Sequence, residues 1–293
     1  MVNCDIMIRK LERDEELKRV LVIEDLASLN AISGAAAITL LNAMQLHPAL
    51  LPSVILSTQS EGYGTPITLS TDEYCHRTLS HWQKLSVKFD GLLVGYSPSQ
   101  YLEWLPGELA RLNLSTCLID PVLGDDGQLY PTFDANVIKK MRQLLPLATV
   151  ITPNWTELGF LVGENWKDEP SQVTLVHSAQ KLLMENPNLA IVLTGVHVNS
   201  EIGVLLVSNQ QIEFFGSPPV TGHFYGTGDV FSALLLGYLV QKLPLSKAVK
   251  AAQMGVTVAV NASVNLSSQE RLDGLNLQPL LGKIIKGDLA FEK

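Results

Sequence analysis

Short apolar runs alternate along this chain with longer segments whose apolar residues recur at helical spacing. The runs 20–23, 54–57, 91–95, 117–120, 150–152 and 190–194 are rich in Val, Ile and Leu and do not alternate cleanly with polar residues. Strands covered on both faces read this way, so these runs predict a mostly parallel sheet. Between them the spacing predicts helices over 35–44, 71–85, 102–112, 133–145, 154–162 and 175–185. Strand–helix alternation of this kind indicates a doubly wound α/β fold. Further on, 203–207 and 211–215 flank Ser208-Asn209-Gln210 and predict an antiparallel hairpin. The pattern 230–240 puts Phe231, Leu234, Leu235, Tyr238 and Leu239 on one helical face, and 246–259 predicts another helix. With no internal repeat, low-complexity block or linker, the expectation is an N-terminal extension over 1–18 and one domain over 19–293.

Composition narrows the function classes. Hydrophobic residues make up 46 % of the 293 positions and charged residues 17 %, enough to bury a large core and too few charges for intrinsic disorder. A net charge of −8 gives no basic footprint for nucleic acid, so any polyphosphate must be held locally. Cys4, Cys75 and Cys117 are far apart and form no C-x-x-C, which argues against a disulfide scaffold or structural zinc and fits a reducing cytoplasm. Residues 1–19 are charged and lack the apolar stretch of a signal peptide. No run of about twenty apolar residues predicts a membrane span.

The predicted strands end in polar residues. Ile23 leads into Glu24-Asp25, Ile119 into Asp120, Ile151 into Thr152-Pro153-Asn154 and Leu193 into Thr194-Gly195. In doubly wound sheets, ligands sit beyond the carboxyl ends of the strands, so these groups converge on the expected binding edge. Gly226-Thr227-Gly228-Asp229 opens directly into an apolar helical pattern. Glycines let the backbone turn tightly, and free N–H groups at a helix start attract anions. The alternative is an ordinary helix start with Asp229 near the positive dipole end. The segment is neither a Walker A motif nor a dinucleotide fingerprint, since Phe231 stands where a third glycine would. Asp120, Asp125 and Asp126 surround a strand end in a pattern suited to Mg²⁺, although Asp126-Gly127 also reads as a turn corner. Asn154 and Glu157 fit either a helix capping box or a metal–phosphate site. His197 and His223 lie near the proposed site, but all six histidines read as surface or packing residues.

In this order the segments resemble the ribokinase superfamily, and more narrowly the pyridoxal (pyridoxine, pyridoxamine) kinases, from Arg19 to about Leu266. The specific pieces are Asp120-Pro121-Val122-Leu123-Gly124-Asp125 through Leu129-Tyr130, Thr152-Pro153-Asn154 with Glu157, and Gly226-Thr227-Gly228-Asp229. The resemblance implies a ribokinase-like three-layer fold. It implies transfer of the ATP γ-phosphate to the 5′-hydroxymethyl group of a B6 vitamer, by a cytoplasmic homodimer with neither nucleic acid nor membrane as partner. It implies that Asp229 is the base and that Gly226, Thr227 and Gly228 form the anion hole. It further implies that Asp125 and Glu157 lie near the phosphates and Mg²⁺, and that Asp120 and Thr152 adjoin a monovalent-cation site (K⁺ or Na⁺). Asn154, Tyr130, Thr194 and Phe224 match ATP contacts, and Asp25, Ser57 and Tyr96 the vitamer pocket.

Two departures fall on the vitamer side. An Asp-Leu-Ser-Gly-x-Gly-like stretch of related kinases reads Asp25-Leu26-Ala27-Ser28-Leu29-Asn30 here, and a His-Thr pair reads Gln59-Ser60. They keep open a hydroxymethylpyrimidine kinase, or another small-alcohol kinase, as the alternative. A non-catalytic nucleotide- or vitamer-binding regulator is a further reading, which the intact Asp229 opposes. A dehydrogenase lacks its fingerprint.

Overall fold

The computed structural model describes residues 18–112 and 114–289. The expectation for Cys4, and all of the expected N-terminal extension 1–18 except Lys18, lie outside the described residues. From the N-terminal side the elements are β1 (Arg19–Ala27), α1 (Ser33–Ala43), β2 (His47–Leu56), β3 (Thr68–Ser70), α2 (Asp72–Lys84), β4 (Gly91–Val94) and α3 (Tyr101–Ala110). Next come β5 (Cys117–Ile119), the short β6 (Gly124–Asp125) and β7 (Gln128–Leu129), α4 (Asn136–Arg142), β8 (Val150–Ile151), α5 (Trp155–Val162) and α6 (Gln172–Glu185). The last third holds β9 (Ala190–Val198), β10 (Glu201–Val207), β11 (Ile212–Ser217), α7 (Thr227–Val240), α8 (Leu245–Ala262), α9 (Ser268–Arg271) and α10 (Gln278–Lys286).

One sheet of nine strands runs in the order β11-β10-β9-β8-β5-β4-β1-β2-β3. From β9 across to β2 every pairing is parallel. The hairpin β10–β11 and the edge strand β3 add antiparallel margins. β6 and β7 form a separate two-stranded ribbon.

Both faces of the sheet are covered, which explains the unbroken apolar runs. On β1, Val20 and Val22 pack with Leu40, Phe231, Leu234 and Leu280 on one side. Leu21 and Ile23 pack with Leu79, Tyr101, Leu158 and Leu182 on the other. α7 is buried almost all round, as expected of a helix enclosed between a sheet and further helices. That fixes the position of its N-terminus, where the Gly226–Asp229 motif lies.

β2 begins seven residues before the predicted Val54. Pro48 and Pro52 interrupt its apolar pattern, but β3 pairs only with Val54–Leu56, so both prolines occupy an edge portion where no neighbour needs their N–H. The predicted helix 133–145 is shorter, Asn136–Arg142, and gives way to a 3₁₀ turn at Leu145–Leu147 that contains a proline.

Candidate active site

The carboxyl ends of β1, β4, β5 and β8 face the start of α7. Gly226 stands just before α7 with φ 82°, a left-handed conformation that disfavours any side chain. A Cβ there would also lie 3.0 Å from Ile32 Cγ2. At Gly228 the nearest neighbour of an added Cβ is Asp120 Oδ2, 3.9 Å away, so this turn is open to a ligand. The first N–H of the helix to find a partner within it is that of Val230, on the carbonyl of Gly226 at 3.0 Å. The N–H groups ahead of it form a positive, anion-seeking mouth.

Asp229 is half-buried in this mouth, and its Oδ2 accepts a hydrogen bond from the Ser33 N–H at 2.7 Å. Burial raises its pKa above the ordinary carboxylate value, and the bonds to Ser33 oppose that rise only in part. Around it lie Glu24, Asp25, Asp120 and Glu157, all buried. Burial, and next the charge of Asp229, push Asp25 up to about 7. Asp120 also rises to about 7 through burial, although the Ser232 hydroxyl bond and the Thr152 hydroxyl favour its charged form. Glu157 and Glu24 are raised well above the ordinary value by burial, then by neighbouring acids. Among the described residues none of these five carboxyls pairs with a Lys, Arg or His.

Two more of the acids have defined partners. Ser232 Oγ donates to Asp120 Oδ2 at 2.8 Å and so accepts from Thr152 Oγ1 at 2.9 Å. This relay joins the ends of β5 and β8 to α7. Glu157 closes a capping box: its Oε2 accepts from the Asn154 N–H at 2.9 Å, and Asn154 Oδ1 accepts from the Glu157 N–H at 2.9 Å. The other oxygen of Glu157 accepts from the Leu123 N–H at 3.1 Å, so the same carboxyl ties the β5 loop to α5. Asn154 Nδ2 donates to the Gly124 carbonyl at 2.9 Å and holds the base of the ribbon.

The remaining predicted residues are spread more widely. Asp126 and Gly127, with φ 48° and 72°, make a two-residue turn of the primed type between β6 and β7. The turn reading of Asp126-Gly127 is therefore realised, and Asp125 is exposed beside it. Half-buried Tyr130 donates its N–H to the Leu123 carbonyl at 3.0 Å, and Thr194 its N–H to the Pro153 carbonyl at 2.9 Å. Ser57 Oγ accepts from the Ile67 N–H at 2.9 Å, a local bond that braces β2 against β3. The Tyr96 hydroxyl donates to Thr132 Oγ1 at 3.2 Å, and its ring stacks on Phe133. Phe224 lies under the Arg271 guanidinium, 4.4 Å from its ring centre. His197 pairs with Glu169 at 2.7 Å on the surface, and His223 packs edge-on against Tyr225.

Ser33 and Ser232 were absent from the predicted set, and Glu24 was expected at the binding edge but given no role. Glu24 stood beside Asp25 at a strand end, and Ser232 sits three residues after Asp229 on the same helix face. Only Ser33 carried no sequence signal. Glu24 explains a glycine as well: a Cβ on Gly95 would strike its carboxyl.

As donors, the site offers carboxyl and hydroxyl oxygens without a basic partner, a chemistry suited to hard cations. Even so, no group of three or more His, Cys, Asp or Glu among the described residues is arranged to hold a metal by itself. The four predicted metal-side residues divide accordingly: Asp120 and Thr152 are joined through Ser232, Glu157 is committed to backbone bonds, and Asp125 lies apart on the ribbon.

The chain is similar to known kinases. The family model described as phosphomethylpyrimidine kinase matches residues 97–272. The crystal structure of pyridoxal kinase from Lactobacillus plantarum superimposes with a TM-score of 0.87 at 32 % identity, covering 93 % of this chain and 98 % of that one. The pyridoxine/pyridoxal/pyridoxamine kinase of Bordetella avium is 28 % identical over 82 % of this chain and 84 % of its own length. The hydroxymethylpyrimidine/phosphomethylpyrimidine kinase of Haemophilus influenzae is 31 % identical over 57 % of this chain. This chain spans 63 % of that protein's length and 41 % of another curated relative's.

Proposed function

The chain belongs to the phosphomethylpyrimidine kinase family of the ribokinase superfamily, and from that premise we propose that it transfers the γ-phosphate of ATP to the 5′-hydroxymethyl group of a B6 vitamer. The observation that carries the reading is Asp229, half-buried at the open N-terminus of α7 and beside the Gly226 turn. In the proposed step the acceptor oxygen bonds to the γ-phosphorus as the bond to the ADP oxygen breaks. Asp229 takes the proton that the hydroxyl releases. The N–H groups of 226–229 hold the transferring phosphoryl group, since such reactions depend on positioning and charge stabilisation more than on covalent help.

Asn154, Tyr130, Thr194 and Phe224 serve the nucleotide in this reading, and Asp25, Ser57 and Tyr96 the vitamer. Mg²⁺ supplies charge neutralisation for the phosphates when bound, with Asp125 and Glu157 as its protein neighbours, Glu157 acting from behind through the backbone it fixes. Asp120 and Thr152 adjoin a monovalent cation. Four buried acids and the half-buried Asp229, none with a basic partner among the described residues, support cations as part of the working site, because buried charge is costly unless paired. The segment 19–293 acts as one kinase domain, in a cytoplasmic homodimer, with small molecules as its only other partners. Among the described residues no helix is long and apolar enough to cross a membrane.

The match to a hydroxymethylpyrimidine/phosphomethylpyrimidine kinase favours hydroxymethylpyrimidine as the second acceptor to test. ATP consumption by the purified protein, measured with pyridoxal, pyridoxine, pyridoxamine and hydroxymethylpyrimidine, decides between them. Preferred turnover of a B6 vitamer is expected. Preference for the pyrimidine reassigns the acceptor, and ATP binding without transfer to any alcohol points to a regulator.

A further inference from the structure

The two departures on the vitamer side meet in space. Asn30 and Gln59, on loops after β1 and β2, are both buried. Asn30 Oδ1 accepts from the backbone N–H of Gln59 at 2.8 Å. Both carboxamide nitrogens then donate to one acceptor, the carbonyl of Leu272: Asn30 Nδ2 at 3.1 Å, and Gln59 Nε2 in a shorter bond. Asn30 Nδ2 also reaches Asp273 Oδ1 at 3.2 Å, and the Tyr63 hydroxyl donates to that same oxygen at 2.6 Å. The Ala31 N–H donates to the Asp273 carbonyl at 2.8 Å. A glycine at position 30 offers no side-chain acceptor for the residue 59 N–H, and the two side chains are coupled through the Leu272 carbonyl they share.

The clamped segment touches both halves of the site. Its first residue, Arg271, covers Phe224, two positions before Gly226. At its other end a Cβ on Gly274 would lie 2.9 Å from Ile32 Cγ2, the same methyl that meets the Gly226 turn. Three residues after Asn30, the Ser33 N–H holds Asp229. A short rigid path therefore runs from the clamp to the base.

We propose that Asn30 and Gln59 are positioning residues for the phosphoryl acceptor: by clamping residues 271–274 across the acceptor loops and the anion turn, they fix the loop that carries Ser33 and Asp229. This rests on the kinase reading. The pair acts on the acceptor and leaves nucleotide affinity alone: its own bonds involve none of Tyr130, Asn154, Thr194 and Phe224, and Arg271, which covers Phe224, is held separately by its bond to the Val264 carbonyl at 2.6 Å. It also shapes acceptor choice, since it replaces a glycine and a histidine at the end of the pocket where the resemblance puts the alcohol.

The test compares wild type, Asn30→Gly, Gln59→His and the double variant. With the preferred acceptor, each single variant is expected to raise the acceptor KM about tenfold while the KM for ATP stays within about twofold. The double variant is expected to be little worse than either single one, because both side chains share the Leu272 carbonyl. Hydrogen exchange of the free protein supplies a readout that needs no substrate: in Asn30→Gly the amides of Gln59 and Ala31 should exchange at least about tenfold faster. Asn30→Ala, which removes the same side-chain bonds without the added backbone freedom of glycine, replaces Asn30→Gly if that variant does not fold. Unchanged exchange at 59 and 31 overturns the clamp. Faster exchange with an unchanged acceptor KM, or with an equal rise in the KM for ATP, overturns the positioning role. A wild-type protein that phosphorylates no acceptor sinks the kinase reading and this role with it, while the exchange data still decide the clamp.

Discussion

The backbone N–H of Ser33 donates to Oδ2 of Asp229 across 196 residues of sequence, at 2.7 Å. The bond joins the start of α1, on the acceptor side, to the start of α7, on the phosphate side. It also directs the carboxylate: with Oδ2 occupied, the other oxygen is the one left to receive a proton.

Asp229 as a general base leads to two expectations. Replacement by Asn removes proton acceptance with little change of shape, so kcat should fall by roughly 10²–10⁴-fold while ATP still binds. The acid limb of kcat/KM should lie above the range of an ordinary aspartate. Burial raises the pKa of Asp229, so activity is lost as pH falls through that raised value. Steady-state kinetics from about pH 4.5 to pH 8.5, beside a nucleotide-binding titration of Asp229→Asn, checks both. Near-wild-type turnover in the variant would falsify the assignment.

Gly226 and Gly228 should separate stability from catalysis. Alanine at 226 must adopt φ 82° and meet Ile32, a strain of about 1–2 kcal/mol before any contact is counted. Both Tm and kcat should fall. Alanine at 228 lies within α7 with only Asp120 Oδ2 nearby, and there replacing glycine stabilises a helix by roughly 0.5–1 kcal/mol. Gly228→Ala should keep or raise Tm and still lower kcat, because its methyl projects where the phosphoryl group is proposed to sit. Melting curves and turnover of both variants give the comparison; equal kinetic and thermal losses at 228 would count against an anion site there.

Gly95 is small because Glu24 needs the space. Gly95→Ala should destabilise by about 1–3 kcal/mol, the usual range for overpacking. Shortening Glu24 to Ala in the same chain should recover part of that loss. Chemical denaturation of the two single variants and the double one measures the coupling, and strictly additive losses would show that the two sites do not share this space.

What the sequence discloses depends on how local each interaction is. The strands β1, β4, β5 and β8 were legible because burial on both faces forces an apolar run. The first half of β2 was hidden by Pro48 and Pro52, tolerated there only because β3 is short. The four-residue α9 is too short to show a period, whereas α10 carries one at Leu280, Leu281, Ile284 and Ile285 that the sequence reading missed. Within the site, Gly226–Asp229 and Asn154–Glu157 were visible as contiguous motifs, and Glu157 proved to be the capping residue that its spacing suggested. The same carboxyl also fixes Leu123, and Asn154 holds the ribbon, so the motif ties α5 to the loop after β5. The Asn30–Leu272 bond spans 242 positions and Ser33–Asp229 spans 196, and neither leaves a local pattern.

Asp25 should make the free protein less stable as pH rises. It is buried, and burial with the charge of Asp229 lifts its pKa from 3.8 to about 7. In the unfolded chain the group ionises near its ordinary value, while the folded protein holds the proton. Between about pH 4 and pH 7 the unfolded state therefore binds fewer protons, and stability falls across that window before levelling off. Each pKa unit corresponds to about 1.4 kcal/mol, so the full effect is at most a few kcal/mol. Asn at this position cannot ionise and keeps similar volume. Relative to wild type, Asp25→Asn should therefore gain Tm steadily from pH 5 to pH 7, and hold that gain above it. Thermal melts at half-unit pH intervals measure the difference, which cancels the titration of groups common to both proteins. A difference that stays flat across the window, or that shrinks as pH rises, would mean that Asp25 is ionised in the folded protein and that a cation, or another proton donor, already compensates it.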